Sequence, residues 1–148
     1  MVINEQATKI DAPAEKVWAL LASHDGQRRA ARGFVAAMDF DGEGLGMVRT
    51  MRTEGHLGET YVVERCDHFD AAEMELMYRI TDTGGIVPFA DYQGRAKVIR
   101  AGVGACVLVL RSTFIPVDMD EEQAKAISQT NFRLFLDNIR AAAVGEDD

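Results

Sequence analysis

Between Phe34 and Ile115 the chain passes through six segments of strand length joined by short links, and one helical pattern then runs to about Val144. This succession constrains the fold more than any single residue. Links of a few residues join antiparallel neighbours, because a parallel crossover needs a dozen residues or more. The segments are Phe34 to Phe40, Met47 to Thr53, Thr60 to Asp67, Ala72 to Asp82, Ala90 to Arg100 and Ala105 to Ile115. Glycine-rich stretches such as Asp41 to Gly46, Thr83 to Gly85 and Ala101 to Gly104 mark turns between them. Val2 to Ile10 alternates weakly and reads as a further strand at the start.

Helices are expected at both ends. Asp11-Ala12-Pro13 opens the first, with Asp as a cap and Pro in the first turn. Val17, Leu20 and Leu21 form its apolar stripe beside Trp18, and Ser23 to Gly26 reads as its end. The basic stretch Gln27 to Gly33 is compatible with a short second helix, and its Arg28, Arg29 and Arg32 read as a solvated face. Asp118 and Glu121 suggest a capping box for the last helix, a rod of roughly 36 Å. Ala124, Ile127, Asn131, Phe135 and Ile139 share one stripe of it. A curved antiparallel sheet around one long helix leaves room for a cavity between the two.

A chain of 148 residues is one domain by length, here 1–144 followed by an acidic tail, Gly145 to Asp148. Hydrophobic residues at 47% and charged residues at 27% exclude global disorder. A net charge of −8 disfavours nucleic acid and anionic membrane as partners. No apolar run approaches the roughly 20 residues of a membrane span, and no basic leader precedes an apolar stretch. A cytoplasmic monomer or homodimer is expected, with Cys66 and Cys106 as buried reduced thiols. Phosphate-loop, zincin and nucleophile-elbow motifs are missing, and His24, His56 and His68 are scattered, so neither metal nor cofactor is expected. Ser23-His24-Asp25 names triad residues, but adjacent positions cannot relay a proton.

The informative polar residues lie inside strand patterns. Glu64 shares a face with Val62 and Cys66, Arg49 with Met47 and Met51, and Arg111 with Val107 and Val109. Asn131 sits on the apolar stripe of the last helix. A buried unpaired charge costs several kcal/mol, so each must be paired, hydrated or exposed. Either the alternation places them outside, or Glu64 and Arg111 are structural partners, or they form the polar floor of an apolar pocket.

Taken together the residues resemble a known group. Ile10-Asp-Ala-Pro-Ala-Glu-Lys-Val-Trp-Ala-Leu-Leu21, Gly46-Met-Val-Arg-Thr50, Val63-Glu-Arg65, Tyr78-Arg-Ile80, Asp91-Tyr-Gln-Gly94 and Ser112-Thr-Phe114 before Pro116 follow the order seen in the START/Bet v 1-like (SRPBCC) superfamily. The nearest branch is the polyketide cyclase/dehydrase and lipid-transport group. Arg32-Gly-Phe34 stands where many relatives carry Trp-x-Pro, and Glu54-Gly-His-Leu57 replaces the gate of the plant hormone receptors. The resemblance implies an α+β helix-grip fold, a seven-stranded curved antiparallel sheet around a long C-terminal helix, with one or two short helices after the first strand. It also implies cavity-lining places for Arg49, Met51, Glu64, Tyr78, Pro88, Phe89, Tyr92, Arg111, Ile127 and Asn131, with the loops Gly55 to Leu57 and Gly85 to Phe89 closing over the mouth.

Two functions fit. One is a binding module for a small hydrophobic molecule, aromatic, polyketide-like or lipid-like, with no cofactor. The other is a cyclase/dehydrase-type enzyme in which Glu64 acts as general acid or base and Tyr78, Tyr92 or Arg111 stabilises an oxyanion. No surface feature singles out a pure interaction role.

Overall fold

The computed structural model describes residues 1–85 and 87–145. Strand β1 (Val2–Ile10) is followed by helices α1 (Ala14–Ala22) and α2 (His24–Ala30). Six strands come next: β2 (Val35–Asp41), β3 (Val48–Thr53), β4 (Tyr61–Asp70), β5 (Glu75–Asp82), β6 (Phe89–Arg100) and β7 (Cys106–Pro116). A 3-10 turn at Gly55–Leu57 sits between β3 and β4, and helix α3 (Glu121–Val144) closes the chain. All seven strands form one antiparallel sheet in the order β1-β7-β6-β5-β4-β3-β2. This is the helix-grip arrangement, in which the short links make β2 to β7 successive antiparallel neighbours. Glu146, Asp147 and Asp148 of the expected acidic tail, and Ile86 of the second loop, lie outside the described residues.

Helix boundaries differ from the sequence reading in three places. Pro13, not Asp11, occupies the cap position of α1, and no side chain caps that helix. Ser23 ends α1 but also starts α2, its side chain accepting from the Gly26 amide at 3.0 Å. The Ser23-His24-Asp25 segment is therefore a helix start, not only a stop. At the far end, Asp120 caps α3 by accepting from the Gln123 amide at 2.7 Å. Asp118 instead takes a left-handed backbone (φ 54°) in the preceding turn.

The elbow between α1 and α2 depends on Gly26. A Cβ there would lie 1.9 Å from the Leu20 carbonyl oxygen. Gly26→Ala is expected to cost about 2 kcal/mol of stability, read as a lower denaturant midpoint, because backbone must move. Gly104→Ala, where nothing lies within 4 Å, is expected to change stability by less than about 0.5 kcal/mol.

Helix α3 buries Ala124, Ser128, Phe132, Leu136, Ile139 and Ala143, so its inner stripe is rotated from the one expected. Ile127, Asn131 and Phe135 flank that stripe and are half-buried. A polar seam fastens the helix to the sheet. Asn4 Nδ2 of β1 donates to Ser128 Oγ at 2.9 Å, and Ser128 Oγ meets Ser112 Oγ of β7 at 3.0 Å. These three residues are at most 1% exposed. Two apolar clusters flank the centre. One gathers Ile10, Val17, Leu21, Leu108, Leu136 and Ile139. The other gathers Met38, Met51, Val62, Phe89 and Phe114.

Bulges set which side chains face inward. Ala90 pairs with Ile115 and Gln93 with Thr113, so Asp91 and Tyr92 together oppose Phe114. Asp91 takes φ 52° to accommodate the extra residue. The parity of β6 switches there, and both Phe89 and Tyr92 reach the inner side, stacked with centroids 5.5 Å apart.

Candidate functional site

Between the inner face of the sheet and α3 lies a cavity of about 140 Å³. Met38, Met51 and Val62 supply apolar wall from β2, β3 and β4, Phe89 from β6, and Phe132 and Phe135 from α3. The polar residues of the lining converge on one cluster. Arg49 and Glu64 sit directly opposite each other in the β3–β4 ladder. Their side chains are 13% and 7% exposed. Arg49 donates to Glu64 Oε1 from Nε at 2.8 Å and from Nη2 at 2.5 Å. Its guanidinium carbon lies 3.6 Å from the centre of the Tyr78 ring, a cation–π stack.

Helix α2 completes the cluster through Gln27, which is 3% exposed. Gln27 Oε1 accepts from Arg49 Nη1 at 2.9 Å and from the Tyr78 hydroxyl at 3.1 Å. Its amide nitrogen donates to the Leu21 carbonyl at 3.0 Å, which fixes the orientation of the amide. No buried side-chain nitrogen or oxygen among the described residues lacks a partner. The charged pair is therefore largely desolvated, with every fully buried polar atom partnered, the condition under which a buried ion pair persists.

Burial alone would lower the Arg49 pKa, but the Glu64 carboxylate and the Tyr78 and Tyr92 phenols together outweigh it and leave the guanidinium above its ordinary value. Burial, reinforced by the charge of Glu64, pushes the Tyr92 phenol up. Burial raises Tyr78 as well, against the pull of Arg49. Both phenols are neutral hydroxyls at neutral pH. The cluster thus offers one carboxylate, one guanidinium already neutralised by it, and two neutral phenols beside apolar walls.

The lining includes Arg49, Met51, Glu64, Tyr78, Phe89, Tyr92 and Asn131 of the residues read from the sequence. Three others fall elsewhere. Arg111 is exposed on the outer face of β7, opposite Glu5 of β1 and Arg95 of β6, and cannot pair with Glu64. Arg49 takes that role instead. Pro88 offers its carbonyl to the Val117 amide at 3.0 Å. Ile127 packs on the Val2, Phe114 and Ala124 side of the core. Gln27 is hidden in the sequence by the polar stretch around it; the glycine just before it, which lets α2 pack closely on α1, is the one signal that marks the place. Leu57 of the 3-10 turn also lines the cavity. Its neighbour His56 meets Asn131 Oδ1 of α3 through Nε2 at 2.6 Å, tying the turn to the helix. Among the described residues no three His, Cys, Asp or Glu side chains are grouped to hold a metal ion. No described helix is long and apolar enough to cross a membrane.

Comparison with known proteins gives a consistent picture. A family model described as polyketide cyclase/dehydrase and lipid transport matches residues 1–144. No curated protein sequence matches the chain significantly. Among solved structures, the protein XoxI of Bacillus cereus is similar at a TM-score of 0.82 and 18% identity, over 97% of this chain and 96% of its own. The Zhui aromatase/cyclase of a Streptomyces species is similar at a TM-score of 0.82 and 19% identity, over 96% and 93%. The norcoclaurine synthase of Thalictrum flavum, solved with dopamine and hydroxybenzaldehyde, is similar at 0.75 and 13%, over 99% and 88%. Likeness at such identities concerns the fold.

Proposed function

The chain belongs to the polyketide cyclase/dehydrase and lipid-transport family, and on that premise we propose that it binds a small, mostly apolar molecule in the cavity between sheet and C-terminal helix. The observation that carries this reading is an apolar cavity whose buried charges, Arg49 and Glu64, neutralise each other. Such a site gains from burying apolar surface while a few polar atoms fix orientation. The aromatic and methionine walls suit an aromatic ring, through edge, face and sulfur contacts.

Ligand that binds only the folded state raises stability in proportion to ln(1 + [L]/Kd). Saturating toluene is expected to raise the melting temperature by a few degrees, and filling the cavity with Met51→Trp is expected to abolish that rise. An equal rise in the filled variant, or none in the parent, would refute the reading.

A second reading is favoured by one feature, the placing of a carboxylate and neutral phenols in the same cavity. In it Glu64 is the general base of a cyclase/dehydrase-type reaction and Tyr92 donates to the developing oxyanion. Arg111 has no part in it, because it lies on the other side of the sheet. Glu64→Gln separates the two: an enzyme loses turnover while still binding substrate, whereas a carrier has no turnover to lose.

A further inference from the structure

Size and unsatisfied hydrogen-bonding capacity narrow what the cavity accepts. Its volume of about 140 Å³ is close to the roughly 150 Å³ of an engineered apolar cavity that takes benzene. A single six-membered ring fills a space of that size.

Charge narrows it further. Both Arg49 hydrogen bonds to Glu64 end on Oε1. Oε2 receives none among the described residues. As no buried side-chain oxygen among these residues lacks a partner, Oε2 keeps accessible surface, and Glu64 lines the cavity. An ionised carboxylate oxygen is an acceptor only. The group it takes is therefore a donor. A ligand carboxylate would bring a second negative charge beside Glu64 in a poorly solvated site. A ligand ammonium would sit beside the Arg49 guanidinium. Each also meets the opposite charge of the same pair, which is neutral overall, so neither finds an uncompensated counter-charge to offset its lost hydration.

We infer that the site selects a neutral single-ring compound with one hydrogen-bond donor, a phenol-type O–H or its equivalent, and discriminates against carboxylates. This rests on the cavity-binding reading above and adds to it the identity of the recognised group. The donor hydrogen-bonds Glu64 Oε2 while the ring lies against Met38, Met51, Phe89 and Phe132.

The test is isothermal titration of the full chain with four compounds that share one methyl-bearing ring: toluene, p-cresol, 4-methylanisole and 4-methylbenzoate. p-Cresol is expected to bind at least about tenfold more tightly than 4-methylanisole, which keeps the oxygen but loses the donor. 4-Methylbenzoate is expected to bind at least about tenfold more weakly than toluene. Equal affinity for p-cresol and 4-methylanisole, or preference for the benzoate, overturns the inference while leaving the cavity-binding reading intact. Failure of all four to bind overturns both. In Glu64→Gln the preference against 4-methylbenzoate is expected to vanish, since Arg49 then stands as an uncompensated cation with which a carboxylate can pair. An unchanged preference in a folded variant places the discrimination elsewhere and overturns the assignment to Glu64. Should that variant fail to fold, the four-compound series on the parent chain decides alone.

Discussion

Arg49→Met is expected to destabilise the protein by about 3–5 kcal/mol, because it leaves the Glu64 carboxylate buried beside apolar walls with no counter-charge. The loss goes beyond the ion pair. Gln27 Oε1 loses one of its two donors and Tyr78 loses the cation over its ring. Replacing both partners tests the cause. A buried pair exchanged for apolar groups of similar volume is often neutral or better. The double variant Arg49→Met, Glu64→Met is therefore expected to recover most of the stability lost in the single one. Chemical denaturation of the four proteins measures the coupling. If the double variant is as unstable as Arg49→Met, Arg49 acts by packing and not by charge.

Phe132→Ala is expected to cost about 3–5 kcal/mol and to change what the cavity holds. Phe132 touches both the cavity and the core on the α1 side. Removing its ring enlarges the cavity that Met51 and Phe135 also line. Naphthalene is expected to stabilise this variant more than toluene does, the reverse of the parent chain. Melting curves with each compound report the order directly. An unchanged preference for toluene would mean that the helix collapses into the gap.

The strand count, the order of elements and the long terminal helix could be read from the sequence because short links and period-2 runs leave few alternatives. Site residues could be read only as candidates, because strand parity leaves the facing of each polar residue open. In β4 Val62, Glu64 and Cys66 share one parity, which suggests an inward face for Glu64 without excluding solvent, and all three are buried. Along Val107-Leu108-Val109-Leu110 both parities are apolar, so the pattern does not choose a face. Leu108, Leu110, Ser112 and Phe114 turn inward, and Arg111 follows the half-buried valines outward. The Arg49–Glu64 contact depends on the register between β3 and β4, which neither strand encodes alone. Gln27 depends on the packing of α2 against α1, and no periodicity marks it.

Beyond the additional residue at Asp91, the alternation of β6 makes chain length, more than side-chain chemistry, the quantity on which one wall depends. Substitution alters that wall one position at a time. Deleting Asp91 would leave Phe89 and Tyr92 two positions apart and both inward, but deleting Gln93 would put Tyr92 and Gly94 on opposite faces and turn the inward set of one half of the strand out to solvent. A one-residue insertion or deletion is therefore the shortest evolutionary step by which this pocket could exchange its aromatic wall, and for Tyr92 its phenol, for a different set. Loss of a single codon triplet would reach a specificity that several point mutations together would not.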